Sequence, residues 1–392
     1  NERGAFSHIV LRSVLDKYQY LSKQDRAFMT RLVDGTIEYM LQLDYIIDSF
    51  SKTKVRKMKP FIRNLLRMSV YQIKYMDAVP DSAVCNEAVK LAKRHKFAQL
   101  SGFVNGVLRN IARNIDSVQF DTLSIQYSMP QWIVDRFVAA YGEKKAEEIF
   151  KAFHSKSTIS IRTNLTRCTP DELRVMLEAE GVTVTAVDEL NYAFVISGFD
   201  YLNGLQSFRD GLFYVQDISS MLVAQTAAPK KGDYVIDVCA APGGKSTHIA
   251  ELLQGSGHVL ARDLTDNKVD MIEENIERHG LNNMSAEVWD ATVFDADSAG
   301  KADILICDLP CSGLGVLGRK KDIRYKMTPE SVDEIAALQR QILDTVHTYV
   351  KPNGVLVYST CTIDEAENED NVRWFIEKHP EFELDKSFAE GT

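Results

Sequence analysis

Between residues 234 and 358 the chain repeats one pattern: a short apolar run, a polar or glycine-rich turn, then an amphipathic stretch. The apolar runs are 234–238, 259–262, 304–307 and 355–358, and helical periodicity fills 245–254, 266–279 and 330–349. Strands that are apolar on both sides and alternate with amphipathic helices fit a parallel sheet covered by helices on both faces. The expected fold class is therefore α/β, a doubly wound sheet. Ligands in that architecture sit beyond the carboxyl ends of the strands, so the residues that follow each run are the candidates for chemistry.

The first 115 residues follow a different rule. Phe28, Leu32, Ile37, Met40, Leu43, Ile46, Ile47 and Phe50 recur at steps of three and four, as one buried helix face requires. Leu65, Leu66, Val70, Ile73 and Met76 continue the pattern, Pro80-Asp81-Ser82 stops one helix and caps the next, and two further helices follow. An all-helical bundle is expected here. Charge separates the two parts as well. Residues 1–115 hold 20 Lys+Arg against 10 Asp+Glu and residues 116–392 hold 26 against 45, so the overall −9 combines +10 and −19. Seven cations between Lys52 and Arg67 stand without an acidic residue, and Lys90, Lys93, Arg94 and Lys96 form a second cluster. Unopposed runs of this kind suit phosphate contacts, and a solvated helix face is the plainer reading of either run alone.

Residues 120–205 combine two helices (131–141 and 143–154), strand-like runs at 158–162 and 193–196, and a capped helix opening at Thr169-Pro170-Asp171. A small α/β module with a mixed sheet is expected. No apolar run reaches membrane-spanning length, and the first 20 residues lack a signal-peptide pattern. The six cysteines form no CxxC pair, which excludes a zinc ribbon and a disulfide scaffold. A cytoplasmic protein that binds no metal is expected.

Five strand ends carry the chemistry. The first leads into Asp237-Val238-Cys239-Ala240-Ala241-Pro242-Gly243-Gly244-Lys245-Ser246, whose glycines let a ligand approach the backbone and whose following helix offers free N–H groups. The spacing is neither GxxxxGK[ST] nor GxGxxG, which disfavours a nucleoside triphosphate or a dinucleotide. Asp263 ends the second strand, where a carboxylate can accept from both ribose hydroxyls of a nucleoside, and Asp290 ends the third, within reach of the base. The last two strands lead into Asp308-Leu309-Pro310-Cys311-Ser312-Gly313 and Ser359-Thr360-Cys361-Thr362. Cys85, Cys168 and Cys307 read as small buried hydrophobes. Cys311 and Cys361 lie in polar turns beside an acid, and either could serve as a nucleophile on these grounds. Arg319, Lys320, Lys321, Arg324 and Lys326 follow closely and are expected to form a basic edge beside the cleft.

The DxCAAPGGK, DxPCSGxG and STCT blocks resemble those of the RNA cytosine-5 methyltransferases. Asn86-Glu87-Ala88-Val89-Lys90 and Phe103-Val104-Asn105-Gly106-Val107-Leu108-Arg109 resemble the NusB-type RNA-binding domain. In this order the two are similar to the bacterial 16S ribosomal RNA methyltransferases of the Fmu/Sun (RsmB) type, over nearly the whole chain. The resemblance implies a Rossmann-like class I methyltransferase sheet at 206–392, a NusB-like bundle at 1–116 and a connecting module at 117–205. It implies S-adenosyl-L-methionine as cofactor, held by Cys239, Ala240, Ala241, Pro242, Gly243, Gly244, Lys245, Asp263, Asp290 and Asp308. Cys361 matches the family's nucleophile and Cys311 the cysteine that aids product release; catalytic Asp308 is expected to hydrogen-bond the ring nitrogen of the base and stabilise the adduct. The implied partner is 16S ribosomal RNA or a small-subunit precursor, with no DNA or membrane partner and a monomeric state. Transfer RNA as substrate, or a non-enzymatic RNA-binding factor, are the alternatives. The family's closing strand pair, rich in Gly and Phe, does not follow before Thr392.

Overall fold

The computed structural model describes residues 7–155 and 158–385. The N-terminal part runs through α1 (Ser7–Lys17), α2 (Lys23–Glu38), α3 (Met40–Phe50), α4 (Pro60–Tyr75), α5 (Asp81–Arg94), α6 (Ser101–Asn114), α7 (Leu123–Gln126), α8 (Gln131–Tyr141) and α9 (Glu143–Phe153). The apolar stripe from Phe28 to Phe50 belongs to two helices rather than one, because Tyr39 closes α2 and opens α3. Its ring stacks on Tyr75 at 4.3 Å, and the break re-aims the second half of the stripe. Leu43, Ile46 and Ile47 are fully buried, whereas Phe28 is 38% exposed. They pack with Leu66, Val70, Ala92, Val104 and Leu108 into one core, each aliphatic side chain contributing about 1.5–3 kcal/mol on burial. Pro80 is the N-cap of α5 and no side chain caps that helix; Asp81 lies in its first turn, where a negative charge favours the helix dipole.

A four-stranded sheet follows, built from β1 (Ile159–Thr163), β2 (Thr183–Val187), β3 (Leu190–Ser197) and β4 (Phe213–Val215), with α10 (Pro170–Ala179) and α11 (Gln206–Arg209) between them. Its order is β2-β3-β1-β4 and every pairing is antiparallel, so the expected mixed sheet is corrected. The expected cap at Thr169 is a full capping box with Glu172. β2 and β4 add to the two expected strands. β2 is mostly exposed, with only Val184 and Val187 reaching a core, and β4 is only three residues long. The fourth strand lies beyond residue 205, where the connecting module was expected to end.

The chain continues through α12 (Ile218–Ala227), β5 (Tyr234–Asp237), α13 (Gly244–Leu252), β6 (His258–Asp263), α14 (Asp266–His279), β7 (Met284–Val288), β8 (Ala302–Asp308), α15 (Ile323–Lys326), α16 (Pro329–Val346), β9 (Val350–Ser359) and α17 (Glu369–Lys378). The strands form a parallel sheet of order β7-β6-β5-β8-β9. Alternate residues of one strand serve opposite faces: Val235 packs with Ile249 and Val259, and Ile236 with Leu305 and Leu343. The strand order reverses between β5 and β8, which places the ligand crevice over their carboxyl ends.

The molecule divides into two compact units: residues up to Ser155 with Val316–Thr328, and the remainder, which holds both sheets. The expected basic edge at 319–326 therefore groups with the helical unit. Arg324 is fully buried and donates to the carbonyl of Leu317 at 3.0 Å. Lys321 pairs with Glu38, and Lys326 pairs with Asp322 at 3.2 Å. Much of that charge serves packing, because carbonyl and carboxylate groups inside the unit need cationic donors. Among the described residues no helix is long and apolar enough to cross a membrane.

Candidate active site

β5 delivers Asp237 to the crevice fully buried, and burial pushes its carboxyl up to about 7. Ser246 donates a hydrogen bond to it, and the Cys239 N–H lies 3.4 Å from its other oxygen. The loop then turns tightly. Gly243 N–H donates to the Ala240 carbonyl at 2.7 Å, and Ala240 N–H donates to the Arg262 carbonyl at 2.8 Å. Gly243 has φ +100°, a conformation that favours glycine, and it caps α13. Cys239 is half-buried, and burial, with Asp237 next, raises its thiol pKa.

Asp263 is 3% exposed at the end of β6. It accepts from Ala241 N–H at 2.9 Å on one oxygen, and from Leu264 N–H (2.7 Å) and Lys268 (2.8 Å) on the other. This carboxylate braces the loop across the neighbouring strand. Asp290 is exposed after β7 and accepts from the Thr292 N–H and hydroxyl at 2.9 and 2.7 Å, which hold its pKa below the usual range. Asp308 ends β8, with Lys245 at 2.6 Å on one oxygen and the Ser359 hydroxyl at 2.8 Å on the other.

The two thiols meet. Cys311 Sγ lies 2.9 Å from Cys361 Sγ and 3.2 Å from the Cys361 N–H, and neither forms a disulfide. Cys361 is exposed and Cys311 only partly so. The hydrogen bond to Cys361, followed by burial, raises the Cys311 pKa strongly, so Cys311 is held as a thiol at neutral pH. Gly315 N–H donates to the Cys361 carbonyl at 3.2 Å, and a Cβ on Gly315 would stand 2.7 Å from that oxygen. Only a residue without a side chain lets the two loops pass this closely. Cys85, Cys168 and Cys307 are buried, as expected.

Several supporting residues carry no motif. Glu367 is fully buried and accepts from Ser312 N–H (2.9 Å) and from Gln339 (3.0 Å), which also donates to the Pro310 carbonyl at 2.9 Å. These bonds tie the Cys311 loop to α16 and to the segment after Cys361. Arg162 on β1 is 1% exposed. It donates to Glu251 at 2.8 Å, to the Gly244 carbonyl at 2.8 Å, to Thr247 at 3.2 Å and to Gln216. Tyr214 and Asn275 both donate to the Pro242 carbonyl, at 3.1 and 2.9 Å. Single strand and helix residues give no local sign of such partners. A buried charge inside a β-branched strand, as at Arg162, is the one signal available. A cavity of about 400 Å³ lined by Thr163, Tyr192, His248 and Asn283 adjoins the start of β7, at the other end of the sheet from the thiols.

In the helical unit the two N-terminal blocks converge. Asn86 and Lys90 of α5 and Ser101, Asn105 and Arg109 of α6 line one groove of about 500 Å³. Lys52, Lys54, Arg56, Lys57 and Lys59 are exposed, but Arg67 is taken up by Asp44 at 2.6 Å.

Carboxylates on three successive strand ends suit hydroxyl, amino and ammonium groups, and the N–H groups at a helix start suit a carboxylate. S-adenosyl-L-methionine carries all of these, so the donor set fits it. Sheet order and site together define an S-adenosylmethionine-dependent methyltransferase. Residues 224–392 match the family described as 16S rRNA methyltransferase RsmB/F, residues 1–113 the NusB family, and residues 129–199 the ferredoxin-like domain of RsmF/B-like methyltransferases. A Bacillus subtilis protein named "Probable ribosomal RNA small subunit methyltransferase B" is 39% identical, the match covering 98% of this chain and 87% of that one. A Salmonella paratyphi A ribosomal RNA small subunit methyltransferase B is 30% identical over 94% of this chain and 86% of its own. The chain belongs to this methyltransferase B family. Among solved structures, PH0851 superposes with a TM-score of 0.82 (26% identity, 95% of this chain, 85% of that one). NSun6 from Pyrococcus horikoshii with SFG gives 0.58 (26% identity, 64% and 87%).

Proposed function

We propose that the chain methylates carbon 5 of one cytosine in 16S ribosomal RNA, with Cys361 as nucleophile and Cys311 aiding release. The observation that carries this reading is the thiol pair 2.9 Å apart, with the outer sulfur exposed and the inner one held protonated. With Cys311 held protonated, the exposed Cys361 is the better placed of the two as nucleophile, which supports it as the attacking atom.

Carbon 5 of cytosine is a weak nucleophile. Addition of the Cys361 sulfur to carbon 6 breaks the 5,6 double bond and moves electron density onto carbon 5, which splits one hard step into easier ones. S-adenosyl-L-methionine supplies the methyl group, held by the loop 239–245 with Asp263, Asp290 and Asp308. As density builds on the base, the Lys245 ammonium donates to its ring nitrogen and Asp308 holds that ammonium in place, since an ionised carboxylate can only accept. A bound water or a cysteine thiolate then takes the carbon 5 proton, the 5,6 double bond re-forms, and the bond from carbon 6 to the Cys361 sulfur breaks with its electron pair returning to sulfur. Both faces of the base must be open, which favours an unstacked nucleotide. The exposed cations at 52–59 and the groove with Lys90 and Arg109 supply phosphate contacts in the helical unit.

Labelled cofactor, with small-subunit RNA lacking the modification and with transfer RNA, tests the reading. Label on a ribosomal cytosine is expected with the native chain and none with Cys361→Ser, which still binds cofactor. Cys311→Ala should trap a covalent RNA complex on a denaturing gel. Turnover by Cys361→Ser refutes the nucleophile, absence of the complex refutes the release role, and label on transfer RNA alone refutes the substrate.

A further inference from the structure

We propose that Asp344, His347 and His379 bind one divalent ion of the zinc class, clamping the end of α17 onto the end of α16. Asp344 lies in the last turn of α16, His347 just after it, and His379 is the C-cap of α17. Asp344, His347 and His379 each offer one donor atom, and the three atoms lie within 4.8 Å of one another.

The imidazoles are arranged for ligation. His347 Nδ1 lies 2.9 Å from the Asp344 carbonyl, which leaves Nε2 as its donor atom; Glu381 flanks the group, 3.7 Å from that nitrogen and 3.6 Å from His379 Nδ1. A backbone carbonyl on the far nitrogen is the usual way a ligating histidine is oriented. His379 is 6% exposed, and its Nε2 makes no hydrogen bond although Asp344 Oδ1 is 3.2 Å away. The two rings lie 4.0 Å apart, centroid to centroid. A buried nitrogen without a hydrogen bond is costly, and an ion between these groups removes that cost. Zinc bonds of about 2.0–2.1 Å place tetrahedral ligands roughly 3.4 Å apart; His379 Nε2 and Asp344 Oδ1 are 3.2 Å apart, and the other separations, within 4.8 Å, close onto the ion. Two imidazoles with one carboxylate favour zinc-class ions over magnesium or calcium, which take oxygen. Lys378 competes: its Nζ is 2.7 Å from Asp344 Oδ1.

The site lies at the start of β9, and Cys361 follows the end of that strand. Ten strand residues at about 3.3 Å each separate the two by about 30 Å, so the role is to fasten the elements before and after the Cys361 loop.

The test uses the full chain stripped with a chelator, in a Cys311→Ser, Cys361→Ser background so that the thiols contribute no ligands. Titration with Zn²⁺ against a chromogenic chelator should give one ion per chain and a higher melting temperature. Co²⁺ should give tetrahedral visible bands. His347→Ala and Asp344→Asn should each weaken binding at least tenfold, and Lys378→Met should tighten it. Absence of binding at micromolar Zn²⁺, or undiminished affinity in the His347→Ala or Asp344→Asn chain, overturns the proposal.

Discussion

Replacing Arg162 by Met is expected to destabilise the sheet-bearing unit by about 3–5 kcal/mol, the usual cost of stranding one partner of a buried ion pair. The figure rests on burial: Arg162 is 1% exposed, and its partner Glu251 is 4% exposed. Once the guanidinium is gone, the nearest remaining cation source is His279, 3.5 Å from Glu251, and burial lowers its pKa so that it stays neutral. A second change, Glu251→Leu, removes the stranded carboxylate and should restore about 2–3 kcal/mol. It should not restore full stability, because the Gly244 carbonyl and Gln216 have also lost a donor. Urea unfolding read through Trp289 and Trp374 in a Trp132→Phe background isolates the unit concerned. Because Gly244 opens α13, cofactor affinity measured by calorimetry should fall in both variants. A single-variant cost below about 1 kcal/mol, or a recovery within the ~0.5 kcal/mol scatter of independent sites, refutes the reasoning.

Two further outcomes follow from the site. Asp237 has a folded pKa of about 7, raised by burial from the ordinary 3.8, so the folded chain holds a proton that the unfolded chain releases. Its contribution is complete below about pH 4 and is lost as pH rises through 7. Asp237→Asn should therefore gain stability relative to the native chain across that window, and parallel melting curves from pH 4 to 8 would contradict this. Gly315→Ala places a Cβ 2.7 Å from the Cys361 carbonyl and forces that loop to move. Turnover should fall about 100-fold, as for an ångström-scale misplacement, with cofactor affinity unchanged; native turnover would show that the loops have slack.

Local sequence settled much of this protein. Strand and helix periodicity placed β5, β6, β8 and β9 and the helices between them within a few residues, because apolar runs and amphipathic stretches report their own burial. It also placed each candidate site residue at or just beyond the carboxyl end of a strand, and a parallel sheet gathers such residues at one end whatever the loops do. Tertiary structure alone decided the rest. Tyr39 divides one apolar stripe into two helices through a ring contact with a residue 36 positions away. The 319–326 cations read as a basic edge, yet Arg324 is buried, because whether a charge faces solvent or a carbonyl depends on what packs over it. Arg162, Glu367 and Gln339 support the site from other elements, and no spacing rule links them to it. The 2.9 Å between Cys311 and Cys361 is the clearest case. Fifty residues separate them, and only the pairing of β8 with β9 brings the two thiols side by side.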